Sequence, residues 1–428
     1  MQIIRYPDRK DWAGLLKRPG IDTTKLEEKV GKILKSVRKK GDTALQKYTR
    51  KFDGVELDVL TVSDTEINEG VDQLSSELKN AIQLAAANIE TFHRYQIQQT
   101  EWIVTMPGIM CSRKSVPIEK VGLYIPGGTA PLFSTILMLG IPARLAKCKE
   151  IILCTPPGTG GQLHAAILFA AQLVGVSKIY KVGGVQAIGA MAYGTETIPA
   201  VNKIFGPGNQ FVTCAKQLVQ KEGIAIDLPA GPSEVAIFAD GDADTSFIAA
   251  DLLSQAEHGP DSQVLLVSND EILVENVQFE IQKQLTELPR KAIAIRALAN
   301  SKAIVVKDEE EAMELLNEYA PEHLILACNN ADELATQVVN AGSVFLGPYS
   351  PESVGDYASG TNHTLPTNGN AKAYSGVSVD SFLKKITYQK LSKEGLQQIG
   401  NAVELMAEAE GLQAHKNAVS IRLAKLGL

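Results

Sequence analysis

Short apolar runs and segments of helical periodicity alternate over two long stretches of the chain. The first stretch extends from Val116 to Val219 and the second from Val235 to Leu346. Apolar residues at three- and four-residue spacing predict helices, and the short apolar runs between them predict buried strands. Strands that alternate with helices form parallel sheets covered by helices on both faces. The pattern therefore predicts an α/β protein with two open Rossmann-like parallel-sheet domains.

The two ends of the chain follow a different pattern. Helical spacing of apolar residues predicts surface helices over about 24–37 and 64–92. In the tail, a narrow apolar stripe is formed by Leu396, Ile399, Val403 and Met406. The next position on this stripe is Glu410, a carboxylate where an apolar residue is expected. A helix with so narrow an apolar face has little sheet to cover, so we expect this helical C-terminal tail to pack on a second subunit.

Composition and charge exclude several classes of partner. The net charge is −7 and the basic residues are scattered, whereas nucleic-acid binding needs a concentrated basic face. The longest uncharged run, Val121–Ala143, contains three prolines and four glycines and does not predict a membrane span. The N-terminus lacks the apolar core of a signal peptide, and five cysteines without a C-x-x-C pair fit a reducing compartment. We expect a cytoplasmic protein that binds neither nucleic acid nor membrane.

Two polar residues share one face of a predicted helix near the centre of the chain. A strand over Val235–Ala239 is followed by a helix from about Thr245 that ends at Gly259. Gln255 and His258 are three residues apart and therefore lie on the same face of this helix. An amide oxygen and an imidazole nitrogen directed at one point suit a borderline metal such as zinc. The alternative is an amphipathic helix whose polar residues only face water.

Three glycine-bearing turns follow predicted strands in the first alternating stretch. They are Ile125-Pro-Gly-Gly, Val182-Gly-Gly-Val-Gln186 and Phe205-Gly-Pro-Gly-Asn209. The dinucleotide fingerprint G-x-G-x-x-G is missing, but each turn can bring backbone N–H groups and a helix N-terminus to a pyrophosphate. Such turns are also common without a ligand. Because all three are expected at the carboxyl edge of one parallel sheet, where ligands bind, they indicate a nucleotide site.

Two polar segments supply candidate acid–base groups. Glu322 and His323 precede a predicted strand over Leu324–Ala327. Adjacent side chains on a strand point to opposite faces, so these two can serve one reaction only at the strand's very start. The second segment, 355–363, is a loop rich in turn residues that contains Asp356 and ends at His363. Polar loops that follow strands often carry function.

Other chemistry-bearing residues are interpreted as structural. His93 and His164 lie in helical apolar contexts, where packing usually satisfies a histidine. Asp240–Asp244 opens like a calcium loop, but Thr245 stands where the loop needs glycine, so a turn and a helix cap are predicted. Cysteine in a helix or strand behaves as a small hydrophobe rather than a nucleophile, and this interpretation applies to Cys148, Cys154 and Cys214.

Segments along nearly the whole chain resemble the histidinol dehydrogenase family, in the family's order. Besides 226–259, they are VGLYIPGGTAPLFST (121–135), KVGGVQAIGAMAYGT (181–195), KIFGPGNQFVTCAK (203–216), APEHLI (320–325), GSVFLGPYSPESVGDYASGTNHTLPT (342–367) and EGLQAHKNAVSIR (410–422). The resemblance implies an NAD-dependent oxidoreductase that converts L-histidinol to L-histidine through L-histidinal, with two NAD per turnover, as the last step of histidine biosynthesis. It also implies one Zn²⁺ per subunit and a cytoplasmic homodimer.

The resemblance also implies a role for each candidate site residue. His323 would be the main proton acceptor, and Glu322 would activate water. The implied zinc ligands are Gln255, His258, Asp356 and His415. The implied NAD contacts are Tyr124, Gln186 and Asn209. The implied contacts of histidinol are Ser233, Gln255, His258, His323, Asp356, His363, Glu410 and His415.

Two of these residues lie in the tail and raise a geometric question. Glu410 and His415 are five residues apart, which is roughly 140° around a continuous helix. They can contact one small substrate only if the helix breaks between them, and Gly411 is the candidate break. The resemblance implies that the tail of one subunit contributes both residues to the site of its neighbour.

The patterns and the resemblance together divide the chain into four parts. Residues 1–20 form an N-terminal arm, and residues 378–428 form the helical tail. Residues 21–120 and 233–377 form a catalytic α/β domain with N-terminal helices. Residues 121–232 form an inserted Rossmann-like nucleotide-binding domain. More than one domain suits 428 residues, because single cores stop growing at roughly 250–300 residues.

Two alternative functions are open from the residues. A zinc-dependent hydrolase would use Glu322 to activate metal-bound water and would bind no nucleotide. An inactive nucleotide-binding module would keep the sheets and the glycine turns without the chemistry. The complete set of candidate site residues argues against the second alternative.

Overall fold

The computed structural model describes residues 1–18, 23–127, 131–228 and 231–427. Along these residues the strands are β1 (Gln2–Arg5), β2 (Trp102–Met106), β3 (Ile109–Pro117), β4 (Lys120–Tyr124), β5 (Glu150–Thr155), β6 (Lys178–Lys181), β7 (Lys203–Phe205), β8 (Ala225–Ile226), β9 (Glu234–Ala239), β10 (Gln263–Ser268), β11 (Lys302–Val305), β12 (His323–Ala327), β13 (Ser343–Leu346) and β14 (Leu383–Leu391). The α-helices are α1 (Trp12–Leu15), α2 (Thr23–Phe52), α3 (Asp64–Asp72), α4 (Ser76–Arg94), α5 (Phe133–Leu145), α6 (Ala165–Val174), α7 (Gly184–Tyr193), α8 (Gln210–Lys221), α9 (Thr245–Ala256), α10 (Glu271–Leu285), α11 (Lys291–Ala299), α12 (Glu309–Tyr319), α13 (Ala331–Ala335), α14 (Glu352–Tyr357), α15 (Lys393–Ala409) and α16 (Gln413–Ala424).

The chain divides into two compact units. The first consists of Met1–Gln96 and Ile118–Ser381, and the second consists of Ile97–Pro117 and Phe382–Leu428. The four-part division expected from the sequence stays a prediction. Residues 19 and 20 of the predicted arm, and Gly128 of the first predicted glycine turn, lie outside the described residues.

The first unit contains two parallel sheets. One has five strands in the order β6-β5-β4-β7-β8, and the other has six strands in the order β1-β11-β10-β9-β12-β13. All neighbouring strands in both sheets pair in parallel. Strands covered on both faces carry almost continuous apolar runs, and every residue of β9 and β10 is buried. The predicted α/β class with two open parallel sheets is confirmed.

Each sheet reverses its strand order beside a central strand. In the five-stranded sheet the chain passes from β4 outward to β5 and β6 and then returns to β7 and β8 on the other side of β4. In the six-stranded sheet the reversal lies between β9 and β12. Such reversals leave a crevice at the strand ends, which is where open α/β proteins bind ligands. The topology therefore locates two candidate crevices before any side chain is considered.

The connection into β12 contains an unusual backbone conformation. Helix α12 ends at Ala320, which adopts the left-handed conformation with φ 52° and ψ 65°. This region favours glycine, because a Cβ atom is crowded there. The chain then passes through Pro321 and Glu322 into the first residue of β12.

The second unit combines an antiparallel sheet with two helices. Its strand order is β14-β3-β2, and β14 pairs with β3 along its whole length, from Leu383 opposite Pro117 to Leu391 opposite Ile109. The sequence reasoning missed this sheet, whereas the helices of the tail are present as α15 and α16. Large apolar side chains on this unit are exposed, namely those of Trp102, Ile103, Val104, Leu405, Met406, Leu412 and Ile421. Along the part of the chain that the structure describes, no helix has the length and apolarity needed to cross a membrane.

Candidate active site

Glu322 and His323 lie side by side at the amino end of β12. His323 is the first residue of that strand and Glu322 immediately precedes it, as the sequence required for a shared role. Both residues are buried, with 6% and 3% of their surfaces exposed. The main chain of Glu322 is also fixed, because the N–H of Ser343, the first residue of the neighbouring strand β13, donates to its carbonyl oxygen at 2.9 Å.

The main chain of Glu234, the first residue of β9, holds both side chains. Its N–H donates to Oε2 of Glu322 at 2.9 Å, and its carbonyl oxygen lies 3.1 Å from Nδ1 of His323. A carbonyl oxygen only accepts, so Nδ1 carries the proton and donates. In the neutral ring this leaves Nε2 as the acceptor. That nitrogen lies 3.7 Å from Oδ1 of Asp356.

Burial sets the proton affinities of the pair. Removal from water raises the pKa of Glu322 well above its ordinary value, although the N–H of Glu234 acts in the opposite direction. Burial lowers the pKa of His323, against the nearby Asp356 carboxylate, which raises it. Desolvation disfavours the charged form of each group. His323 is therefore a neutral imidazole at neutral pH, which is the form that accepts a proton.

A group of metal-ligand atoms lies beside this pair. His258, Glu352 and Asp356 each offer one ligand atom, and these atoms lie within 4.8 Å of one another. Glu352 and Asp356 lie one turn apart on α14, and His258 lies just after the end of α9. Burial raises the pKa of Asp356 and raises that of Glu352 to about 7. The buried carboxylate of Glu352 and the part-buried carboxylate of Asp356 thus converge with the exposed imidazole of His258, and buried carboxylates gain from a shared cation.

Gln255, the other metal ligand predicted on α9, is fully buried next to this group. Its amide has one orientation that satisfies its surroundings: Nε2 donates to Oε1 of Glu352 at 2.8 Å, and Oε1 accepts at 3.0 Å from the N–H of Glu234. Gln255 and Glu322 therefore share this N–H as a three-centre hydrogen bond. Ser254 donates from its hydroxyl to the second oxygen of Glu352 at 2.7 Å. Glu352 therefore fixes the direction in which the Gln255 amide oxygen points.

His363 is held in a single orientation by two partners. Its Nδ1 lies 2.9 Å from the carbonyl oxygen of Asp356 and therefore donates. Its Nε2 lies 3.0 Å from Oγ1 of Thr135, whose hydroxyl then donates to the ring. His363 is thus joined to the predicted metal ligand Asp356 through the main chain.

One cavity of about 780 Å³ borders both the candidate site and two of the three glycine turns. Its lining includes Ser233, His258, Glu322 and His363 from the candidate site. It also includes Pro126, Gly206 and Asn209 from the first and third turns. Small-molecule and cofactor sites have volumes of roughly 300–1,000 Å³. The cavity therefore has room for a small substrate and part of a larger cofactor.

The three predicted nucleotide contacts have different surroundings. Tyr124 is buried and its hydroxyl accepts from the N–H of Gly184 at 3.0 Å. Gln186 is 1% exposed, and its Oε1 has no hydrogen-bond partner within the part of the chain that the structure describes. Asn209 caps α8, and its Oδ1 accepts from two N–H groups of that helix. The unpartnered oxygen of Gln186 is a polar atom that needs a ligand or water.

Glu410 and His415 belong to the second unit. Helix α15 ends at Ala409, Gly411 has φ 71°, and α16 begins at Gln413, so the predicted helix break at Gly411 is confirmed. The side chains of Glu410 and His415 are exposed. Their contribution to a metal or substrate site stays a prediction.

The residues interpreted as structural mostly behave as expected. His93 is buried, and its Nδ1 donates to the carbonyl oxygen of Ile89 at 2.9 Å. Asp244 caps α9 through the N–H of Ser246, as predicted for the acidic turn. His164 is a correction: it is an exposed N-cap of α6, bonded to the N–H of Ala166, and not a packed helical residue. At this exposed N-cap position the imidazole ring faces solvent rather than apolar side chains.

The sequence profile described as histidinol dehydrogenase matches residues 16–423. The histidinol dehydrogenase of Bacteroides thetaiotaomicron is 59% identical to this chain over 426 residues, which cover 100% of both sequences. The chain belongs to the histidinol dehydrogenase family. The histidinol dehydrogenase of Xanthomonas campestris pv. campestris is 53% identical over 401 residues, covering 94% of this chain and 93% of the relative. The crystal structure of histidinol dehydrogenase from Elizabethkingia anophelis has a TM-score of 0.98 and 54% identity, and covers 100% of this chain and 99% of that one.

Membership of the histidinol dehydrogenase family confirms the resemblance read from the sequence. It favours neither a zinc-dependent hydrolase nor an inactive nucleotide-binding module. Sequence reasoning nevertheless missed two residues of the site, Glu352 and Glu234. Glu352 had a local signal, because it stands four residues before Asp356 and so shares a helix face with it. Glu234 had none, because it acts through its main chain.

Proposed function

We propose that this protein oxidises L-histidinol to L-histidine through L-histidinal, with two NAD consumed per turnover. The observation that carries the proposal is the buried, neutral His323, whose Nδ1–H is committed to the carbonyl oxygen of Glu234. Its Nε2 is then the free base next to the proposed metal ligands. A general base works best when its pKa lies near the operating pH, which suits histidine.

The donor set fits a divalent metal of zinc type. An imidazole nitrogen and carboxylate oxygens are ordinary zinc ligands, and His258, Glu352 and Asp356 bring such atoms together. We assign the ion to Gln255, His258, Asp356 and a second subunit's His415, with Glu352 holding the Gln255 amide. When bound, zinc has no redox chemistry and orients and polarises the substrate.

The carboxyl edge of the five-stranded sheet also suits NAD. The buried, unpartnered Oε1 of Gln186 offers an acceptor to a ligand amide or hydroxyl. The turn after β7 is kept open by Gly206, whose φ of 125° is accessible to glycine. We assign NAD contacts to Tyr124, Gln186 and Asn209. When bound, NAD accepts the hydride in each of the two oxidations.

The two buried groups divide the proton transfers between them. In the first oxidation, Nε2 of His323 takes the hydroxyl proton of histidinol while the C–H hydride leaves. In the second, Glu322 in its ionised form takes a proton from water as that water adds to the aldehyde carbon, and protonated His323 returns its proton to the aldehyde oxygen, which completes the hydrate. His323, neutral again, then takes a hydroxyl proton of the hydrate as the second hydride leaves, which gives the carboxylic acid, and this acid ionises to the carboxylate. The raised pKa of Glu322 makes its ionised form a stronger base than an ordinary carboxylate.

A homodimer would complete the site. Large apolar side chains of the second unit are exposed, among them those of Leu405, Met406 and Leu412, and contiguous exposed apolar patches mark interaction sites. We assign Glu410 and His415 to the neighbouring subunit's cavity, where Glu410 would contact histidinol.

The test is an NADH absorbance assay with histidinol, NAD and zinc-loaded protein. We expect two NADH for each histidinol consumed and loss of activity on chelation that zinc restores. A zinc-dependent hydrolase or an inactive module would produce no NADH. Protein that contains stoichiometric zinc and binds NAD, yet forms no NADH from histidinol, would contradict the proposal.

A further inference from the structure

The side chain of Glu234 lies in a buried ion pair next to the catalytic groups. Its carboxylate accepts from Nε of Arg18 at 2.8 Å and from Nη2 of Arg18 at 2.6 Å, which is a bidentate arrangement. The N–H of Asn368 donates to the same carboxylate. Glu234 is 2% exposed. Such parallel hydrogen bonds fix orientation as well as position.

Arg18 is itself fixed by a second set of contacts. Its guanidinium carbon lies 4.0 Å from the centre of the Tyr319 ring, and its Nη2 donates to the carbonyl oxygen of Tyr319 at 2.8 Å. Tyr319 is the last residue of α12, which leads into the segment that carries Glu322 and His323. One arginine from the N-terminal arm therefore connects the start of β9 with the end of α12.

The main chain of Glu234 is the shared support of both catalytic side chains. Its N–H binds Glu322 and its carbonyl oxygen binds His323. These two groups belong to the two peptide units that meet at the Cα atom of Glu234, so a displacement of this Cα atom would move the Glu322 carboxylate and the His323 ring together. The Glu234 side chain extends from the same Cα atom and is held at its far end by Arg18, so it restrains both peptide units.

We propose that Arg18 and Glu234 form a positioning pair that holds the main chain on both sides of the Glu234 Cα atom, and through it Glu322 and His323, in the reactive arrangement. The inference rests on the proposed roles of Glu322 and His323. Arg18 also borders the cavity, so the competing explanation is that its guanidinium binds a ligand directly. The two explanations differ in the kinetic constant that they affect.

The experiment compares zinc-loaded variants by their kcat and by their KM for histidinol and for NAD. The main variant is Arg18→Met with Glu234→Gln, which removes both charges together. Removing both partners avoids the isolated buried charge that makes single deletions so destabilising. Glu234→Gln alone is a second variant that keeps the side-chain volume. Arg5→Met is the matched control, because Arg5 also lies in the N-terminal arm and binds two carboxylates, those of Glu271 and Glu275, but at the surface.

The positioning pair predicts a kcat at least about 10-fold lower in both Glu234→Gln variants with each KM unchanged, since small displacements of reacting groups cost about 100-fold in rate. Arg18→Lys should recover part of the loss, because lysine keeps the charge but not the bidentate fork. Arg5→Met should keep the wild-type kcat. A purely structural role would lower the melting temperature and leave the kcat of the folded protein unchanged.

Three results would overturn the inference. They are a wild-type kcat in the folded double variant, a raised KM with an unchanged kcat, and Arg18→Lys no more active than the double variant. His323→Asn and Glu322→Gln are measured in parallel. Full activity in those two would overturn their catalytic roles and the positioning pair with them, whereas their loss beside a fully active double variant would overturn the positioning pair alone.

Discussion

The two parallel sheets of the first unit present opposite edges to the same cavity. The five-stranded sheet contributes its carboxyl edge, where Pro126 follows β4 and Gly206 follows β7. The six-stranded sheet contributes its amino edge, where Ser233 precedes β9 and Glu322 precedes β12. The first edge lies where ligands of open α/β sheets are expected, and the second does not.

The two edges therefore suit different tasks: the carboxyl edge suits cofactor binding, and the amino edge suits proton transfer. The carboxyl edge offers glycine turns and helix N-termini, which bind anionic groups through main-chain N–H donors. The amino edge offers the first N–H and C=O groups of strands, and at Glu234 these hold two titratable side chains in a buried setting. Substitutions at the amino edge should therefore reduce turnover, and substitutions at the carboxyl edge should weaken cofactor binding.

The largest effect is expected for His323→Asn at the amino edge. Loss of the proton acceptor should lower kcat by about 10²- to 10⁴-fold, the usual contribution of general base catalysis. The assay is NADH formation from histidinol, with His164→Asn as the control, since His164 is an exposed helix cap and asparagine caps helices well. A wild-type kcat in His323→Asn would show that His323, at the amino edge, is not the proton acceptor.

Glu352→Gln tests how the metal ligands at this edge are oriented. A residue that orients a ligand typically changes metal affinity by about 10- to 100-fold when replaced, so zinc should bind that much more weakly. Competition with a chromophoric chelator measures the affinity, and Glu287→Gln, an exposed glutamate, is the control. Loss of all detectable zinc binding would instead make Glu352 a direct ligand.

At the carboxyl edge, Gly206→Ala should raise the KM for NAD and lower stability. A Cβ atom at Gly206 would overlap the carbonyl oxygen of Tyr124, and the φ of 125° adds strain. Such strain costs about 1–3 kcal/mol. Gly223→Ala is the matched control, because Gly223 has φ 97° but nothing within 4 Å of an added Cβ. Equal losses of stability in both variants, with an unchanged KM for NAD, would show that the turn is not read by the cofactor.

The smallest effect is expected for Asp53→Asn. The Asp53 carboxylate is near enough to Tyr124 to raise the pKa of the tyrosine hydroxyl. Burial raises the pKa of Asp53 to about 6, and its Oδ2 has no partner among the described residues. The unfolded chain loses this proton near pH 4 and the folded protein only near pH 6, so the aspartate destabilises the fold increasingly as pH rises between these values. Asp53→Asn should therefore raise the melting temperature above about pH 6 and leave it unchanged below about pH 4. Asp58→Asn, at an exposed site, should change neither, and a pH-independent gain at Asp53 would contradict the explanation.

Periodicity and local spacing were sufficient for most of the first unit. Alternating apolar runs predicted both parallel sheets, and the position of Glu322 and His323 ahead of an apolar run predicted their shared location. Gly411 could be identified as a helix break because two predicted contacts lay too far apart around a continuous helix. These inferences depend on neighbours within a few residues, where geometry follows directly from the sequence.

Contacts between distant segments could not be obtained in this way. Arg18 and Glu234 are 216 residues apart, and the sequence around each residue contains no pattern that predicts the other as its partner. The antiparallel pairing of β14 with β3 joins segments that are even farther apart in the sequence. These strands carry many exposed residues and so lack a continuous apolar run. Backbone support such as that from Glu234 leaves no compositional trace, because every residue type except proline has the same N–H and C=O groups.

The left-handed conformation of Ala320 limits how far the thermal stability of this enzyme can be raised at that position. A left-handed alanine costs roughly 1–2 kcal/mol relative to a relaxed residue, so glycine at this position should relieve strain in the folded chain. Glycine would also loosen the hinge that aims the following three residues, and the last of these is His323. The Cβ atom of Ala320 thus lowers the stability of the fold and at the same time restrains the catalytic histidine. Selection for thermal stability alone would favour glycine here and lower kcat.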